Sequence, residues 1–159
     1  MNSVLQNKTM RVIIQRVLEA SVTIEGILKS KINQGLLILV GIEDVDIQED
    51  INWLCAKIAN LRIFSDEQGL MNFSVIDING ELLVISQFTL FANTKKGNRP
   101  SFIDAARPEI AVPLYKKMIE RLTSELGNPI ETGEFSADMK ISLVNDGPVT
   151  IIIDSKNKI

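Results

Sequence analysis

The chain has 159 residues and a mass of 17.7 kDa, with 45% apolar and 23% charged residues, 9 glycines and 5 prolines; one folded domain is predicted, and disorder or collagen-like repetition is excluded over most of its length. Histidine is absent and cysteine occurs once, at Cys55, which removes Ser-His-Asp and Cys-His nucleophile systems, histidine or thiolate zinc sites, histidine-ligated haem and any internal disulfide. A net charge of -3 gives no broad basic face for tight nucleic-acid binding, although a local cationic loop could still steer a polyanion.

Residues 1–9 (MNSVLQNKT) are polar and aperiodic and are expected to form a loose, fraying leader without an apolar export segment. Residues 11–17, 21–24, 27–32 and 35–42 read as four strands, the last (GLLILVGI) apolar throughout and so buried on both faces. A first helix is predicted from Asp46: the spacing Asp46 to Glu49 suggests a capping box, and Ile47, Ile51, Leu54, Ile58 and Leu61 recur at helical steps. Residues 62–64 read as a short strand and 65–69 as a turn, and Asn79-Gly80 carries a hairpin signal before a strand over 82–91. A second helix follows Pro108, with Ala111, Leu114, Tyr115, Met118, Ile119, Leu122 and Leu126 on one side and a stop at Gly127-Asn128-Pro129. Residues 130–133, 139–145 and 149–154 read as closing strands, with Asn145-Asp146-Gly147-Pro148 as the turn between the last two. No run is long and apolar enough for a membrane span, and with the lone unpaired cysteine this predicts a soluble cytoplasmic protein.

Three features could carry chemistry. Ser86, Gln87 and Thr89 interrupt an otherwise apolar strand, where they either satisfy neighbouring backbone at a sheet edge or face a ligand. Asn145 to Thr150 (NDGPVT) reads alone as a hairpin connection, and nothing in the sequence physics requires its proline to be cis. Thr94 to Arg99 (TKKGNR) is a cationic loop, either solvated or holding phosphates. The carboxylates Glu43, Asp44, Asp46, Glu49 and Asp50 gather at a helix start, where capping and the helix dipole account for them, so no metal site and no cofactor are assigned.

Together, Ser86-Gln87-Phe88-Thr89-Leu90 and Asn145-Asp146-Gly147-Pro148-Val149-Thr150 resemble the two signature motifs of the D-aminoacyl-tRNA deacylases. The resemblance runs through Ile14-Gln15-Arg16-Val17, Ala20-Ser21-Val22, Arg62-Ile63-Phe64, Arg99-Pro100-Ser101-Phe102 and Gly133-Glu134-Phe135-Ser136-Ala137-Asp138-Met139. It covers a domain over 10–154, leaving 1–9 as leader and 155–159 as tail; Asn98, where many members carry Met, lies outside both signatures. It implies an α/β fold, a single compact domain whose sheets form a barrel-like arrangement packed with two main helices. It implies hydrolysis of the ester of D-aminoacyl-tRNA, and of glycyl-tRNA, to free amino acid and tRNA, by a homodimer with active sites at the subunit interface.

The resemblance also implies roles for individual residues. Ser86, Gln87, Phe88 and Thr89 form the catalytic pocket. Gly147 and Pro148, joined by a cis peptide and held by Arg16 with Asn145 and Thr150 in support, reach into the other subunit's site. There their carbonyl oxygens exclude an L-side chain without reading a D-side chain, so glycine slips through. Phe135, Ala137 and Met139 pack against the terminal adenosine, and Lys95, Lys96 and Arg99 meet acceptor phosphates. A Thr89 nucleophile would need an activating base, and no histidine is present; the resemblance favours activation of water by the tRNA 2′-hydroxyl. A nucleic-acid binding module without catalysis and a Thr- or Ser-dependent esterase are the competing readings.

Overall fold

In the computed structural model, which describes residues 9–159, one long strand organises the sheet. β1 (Arg11–Ile24) pairs antiparallel with β3 (Gly35–Gly41) along its first half, with β2 (Ile27–Ile32) along its second, and with β8 (Met139–Asp154) along its opposite edge. β6 (Glu81–Ser86) joins β3 in parallel, and β7 (Glu131–Thr132) joins β6 in parallel, giving the order β2-β1-β3-β6-β7 with β8 beside β1. β4 (Phe64–Ser65) and β5 (Met71–Phe73) form a separate ribbon. The fold is α/β: one domain in which a nearly closed, barrel-like sheet is packed with α1 (Gln48–Asn60) and α2 (Pro108–Leu126).

Alternation assigns each face of the sheet to its own core. Val12 and Ile14 of β1, Leu36, Ile38 and Val40 of β3, and Leu82 and Val84 of β6 meet the buried stripes of the helices, Ile51, Leu54 and Ile58 from α1 and Leu114, Met118 and Leu122 from α2. The other face gathers Val17, Ala20, Val22, Ile32, Leu37, Leu83 and Ile85 into a second core. The β1 to β8 register shifts between Val17 and Glu19, and that shift reverses the parity of β1 so that Ala20 and Val22 share a face with Val17. β3 contributes to both cores, as its unbroken apolar run predicts.

Several expectations are corrected. Residues 11–17 and 21–24 are one continuous strand, because β8 pairs across the whole span. The α1 cap sits one residue later than predicted: the Asp50 carboxylate accepts from the Ile47 N–H at 2.9 Å, while Asp46 accepts from the Glu43 N–H and pairs with Lys156. The short strand expected at 62–64 begins at Phe64. Asn79-Gly80 turns the chain, with Asn79 at φ 53, but makes no hairpin, since β6 enters parallel to β3 and β5 pairs only with β4. The strand expected to reach Phe91 ends at Ser86. The two closing strands are a single β8, interrupted by a bulge.

Of the leader expected over 1–9, residues 1–8 lie outside the described residues. Thr9 is buried, its N–H donating to Glu43 at 2.9 Å. After β8, Ser155 is buried and accepts from the Met10 N–H at 3.1 Å, and Lys156 bridges Asp46 and Asp50 at 3.0 and 2.8 Å. No helix among the described residues is long and apolar enough to cross a membrane.

Cys55 lies at the α1 to α2 contact, its thiol 3.7 Å from the Met118 carbonyl oxygen, and burial pushes its pKa up to about 12. At pH 8 its thiolate fraction is therefore roughly 10³-fold below that of an unburied thiol. A thiol-specific reagent at pH 8 is expected to label Cys55 only on global unfolding; rapid labelling of the native protein would contradict this placement.

Candidate active site

The polar interruption begins where β6 leaves the sheet. Ser86 is level with Val40 of β3, and the Gln87 N–H donates to the Val40 carbonyl at 2.7 Å before the chain coils into a single 3-10 turn, Phe88–Phe91. The turn lies directly on Gly41, where a Cβ would stand 2.7 Å from the Phe91 ring and 3.1 Å from the Leu90 Cβ. Its backbone closes through Leu90 N–H to Gln87 O at 3.3 Å and Ala92 N–H to Thr89 O at 3.2 Å. Beyond the end of the strand, Gln87 and Thr89 meet because the turn folds the Gln87 side-chain amide onto the Thr89 hydroxyl. Phe88 is 55% exposed with its ring edge-on to Phe102, centroids 5.2 Å apart. A carboxamide is no base, so the partner that Thr89 has here leaves its hydroxyl a weak nucleophile.

β7 brings a second group beside this turn. Leu83 and Val84 pair with Glu131 and Thr132, so the next residue, Gly133, stands against Ile85, where any added side chain would overlap the Met139 sulfur. Phe135 tilts onto Tyr115 at 6.3 Å between centroids, and the buried Tyr115 hydroxyl donates to the Val84 carbonyl at 2.8 Å, tying this loop to β6. Ser136 adopts φ 66 and the Ala137 N–H reaches Glu134 O at 3.2 Å; Phe135 packs toward the helix-side core and Met139 toward the other.

The second signature is a bulge in β8. Gln15 pairs with Thr150 and Val17 with Asn145, so Asp146 to Val149 all stand opposite Arg16 alone. The buried Arg16 guanidinium fills the gap, donating through Nε to the Asp146 carbonyl at 2.9 Å and through Nη1 to the Ile63 carbonyl at 2.6 Å, with the Asp146 carboxylate at 3.6 Å. Asn145 closes the loop: its Oδ1 accepts from the Val149 N–H at 2.8 Å, and its Nδ2 donates to the Thr150 hydroxyl at 3.0 Å. Gly147 and Pro148, joined by a cis peptide bond, are exposed at the crest.

One chain does not unite the two signatures. Ser86 is level with Val12 through Val40, whereas the bulge stands opposite Arg16, four residues along β1 and three strands away from β6. That offset is about 13 Å along the strands and about 14 Å across them. Lys95, Lys96 and Arg99 are exposed on a loop pinned at its neck by reciprocal Asn93 and Ser101 backbone bonds of 2.7 and 2.9 Å, which start just past the 3-10 turn. A cleft of about 440 Å³ is lined by Arg11, Leu90, Phe91, Asn93 and Lys95 among others, and none of Ser86 to Thr89, Gly147 or Pro148 lines it. Sequence reasoning missed Arg11, whose guanidinium bonds Leu90, and Gly41, the floor of the turn; the glycine closing an apolar run was the available signal for the latter.

The model of the family described as D-Tyr-tRNA(Tyr) deacylase matches residues 13–154. A D-aminoacyl-tRNA deacylase of Flavobacterium psychrophilum is 66% identical over 94% of this chain and 99% of its own, and one of Parabacteroides distasonis is 65% identical with the same coverage. The solved structure of a c-Myc DNA Unwinding Element Binding Protein superposes with TM-score 0.84 at 40% identity, covering 90% of this chain and 97% of that one. A eukaryotic chain described as a probable D-amino acid tRNA deacylase has TM-score 0.79 at 15% identity over 92% of this chain and 99% of its own, a likeness of fold.

Gly147 has φ 134, and a Cβ there would lie 2.8 Å from the Val149 Cγ2 and 3.1 Å from Arg16 Nη2. Gly147→Ala is expected to displace the bulge and destabilise the protein by roughly 1–3 kcal/mol. Thermal or urea unfolding measures this, and a variant as stable as the parent would refute the tight fit around Arg16.

Proposed function

Because the chain belongs to the D-Tyr-tRNA(Tyr) deacylase family and is a hydrolase of that family, we propose that it cleaves the ester joining a D-amino acid to the 3′-terminal adenosine of tRNA, releasing free D-amino acid and tRNA. The observation that carries this reading is the 66% identity to a relative named for that activity, which spans both signatures. Glycyl-tRNA is a second substrate in this proposal, because the filter rejects L-side chains and glycine has none.

In the proposed site Ser86 and Gln87 orient the ester, Phe88 and Thr89 shape the pocket, and Phe135, Ala137 and Met139 receive the terminal adenosine. Lys95, Lys96 and Arg99 contact the acceptor phosphates; few such contacts suit an enzyme that must release its tRNA. The carbonyl oxygens of Gly147 and Pro148 bind the α-amino group and collide with an L-side chain, and Arg16, Asn145 and Thr150 hold them in place. Supporting this assignment are the exposure of Gly147 and Pro148 and the closed hydrogen bonding beneath them.

The separation of the two signatures within one chain favours a homodimer in which each bulge enters the partner's site. An apolar row agrees with it: Ile152, Ile13 and Leu39 are paired across β8, β1 and β3 on the face away from the helices, and Ile152 is 60% exposed. A partner copy would cover that row. With translation as its setting, the enzyme is proposed to act in the cytoplasm.

For the chemical step, the weak Thr89 hydroxyl favours substrate assistance. The tRNA 2′-hydroxyl helps activate water, while a backbone N–H near Phe88 or the Gln87 amide stabilises the developing oxyanion, worth roughly 10²–10³ in rate. Positioning of an already activated ester supplies much of the remainder.

Deacylation of D-Tyr-tRNA and L-Tyr-tRNA tests the function: rapid loss of the D-ester alone is expected. Survival of both would leave a nucleic-acid binder, the reading that the name of the 40%-identical structure favours, and equal loss would indicate a general esterase. For the mechanism, Thr89→Ala is expected to keep turnover within about tenfold of the parent, and tRNA ending in 2′-deoxyadenosine to be cleaved at least about 10²-fold more slowly. An acyl-Thr89 adduct trapped by rapid quench would reverse that choice.

A further inference from the structure

Arg11 is the first residue of β1, and its side chain reaches away from the strand to the turn that carries Phe88 and Thr89. Each nitrogen of its guanidinium donates one hydrogen bond. Nε and Nη2 grip both oxygens of Asp154, at 2.8 and 3.3 Å, across the last rung of the β1 to β8 ladder. Nη1 donates to the Leu90 carbonyl at 3.2 Å, and the guanidinium carbon stands 5.4 Å from the centroid of the Phe91 ring. The bidentate grip fixes the plane of the fork, and a fixed fork fixes where Nη1 points.

The far end of the 3-10 turn is held by the buried Phe91, by the Ala92 N–H bond to Thr89 O and, at the Leu90 carbonyl, by Arg11. Its near end hangs on β3 through the Gln87 N–H, and Gly41, having no side chain, lets Leu90 and the Phe91 ring settle close against β3. Leu90 closes the turn by donating to the Gln87 carbonyl, so a bond to the Leu90 carbonyl is one peptide unit from the hydrogen bond that shapes Gln87 to Thr89. The guanidinium also lies over Phe91, the buried residue of the turn, and so opposes lift-off from the sheet.

We propose that Arg11, oriented by Asp154, is a positioning residue for the deacylase site: it ties the end of the last strand to the turn and sets the placement of Gln87 to Thr89 without touching substrate. The proposal rests on the deacylase reading. Asp154 acts only through Arg11, and the planar fork is required in addition to the charge.

The test compares the full-length parent with Arg11→Met, Arg11→Lys, Asp154→Ala and the double variant Arg11→Met/Asp154→Ala in single-turnover deacylation of D-Tyr-tRNA, with melting temperatures and amide exchange of the 87–92 backbone. Arg11→Met is expected to lower the rate at saturating tRNA by roughly ten- to a hundredfold with half-saturation within about threefold, the mark of a misplaced reacting geometry. Asp154→Ala is expected to fall nearly as far in the parent and to add nothing in the Arg11→Met background. Exchange at Leu90 and Ala92 should rise in both single variants. Arg11→Lys keeps the charge and is the milder test of folding; it is expected to recover melting temperature but not rate.

A parent inactive on D-Tyr-tRNA would overturn the deacylase reading and the proposal with it. An active parent matched within about twofold by Arg11→Met, or full rescue by lysine, would overturn the positioning role alone, as would equal losses from Asp154→Ala in both backgrounds.

Discussion

A buried guanidinium must find acceptors for its N–H groups, and Arg16 finds them where β8 departs from its ladder. The bulge and the arginine depend on each other. Without Arg16 the carbonyls of Asp146 and Ile63 would lose their donor, and without the bulge the buried guanidinium would keep only the Ile63 carbonyl. Because Ile63 lies between α1 and β4, the same side chain links the last strand to the stretch that follows the first helix. The exposed Gly147-Pro148 crest stands on this base, together with the Asn145 bonds that satisfy Val149 and Thr150.

The other half of the site is built by a different device. β3 presents Gly41 as a flat floor, β6 ends at Ser86, and the chain settles into one turn of 3-10 helix pinned at Val40 and Leu90. The two halves share β1, which aligns Val12 with Ser86 at one end and Arg16 with the bulge further along. A strand is stiff over this distance, so it keeps the halves apart as firmly as it connects them.

Much of the arrangement is legible in the sequence. The helical stripes, the doubly buried β3 and the Gly127 stop of α2 appear as predicted, because each rests on local periodicity or on a residue with a strong backbone preference; Gly127 adopts φ 72. The errors are of another kind. Asn79-Gly80 looks like a hairpin because the dipeptide encodes a turn but not the partner of the strand that follows, and β6 pairs in parallel with β3 instead. Leu90 and Phe91 extend the apolar alternation beyond Ser86, yet Gly41 offers the turn a closer seat than a strand could take. Asn145 to Pro148 contains turn residues, but Arg16 lets one strand swallow the turn as a bulge.

The sequence by itself determined the element types, the two signatures and the exclusion of imidazole chemistry, since composition, period and residue identity are properties of the linear chain. The tertiary structure alone decided that the signatures lie on opposite sides of β1, that Gln87 meets Thr89 across a turn, and that Arg11 spans from Asp154 to Leu90. Each depends on which strands become neighbours and in what register, and no local preference encodes a pairing between residues 79 or 143 positions apart.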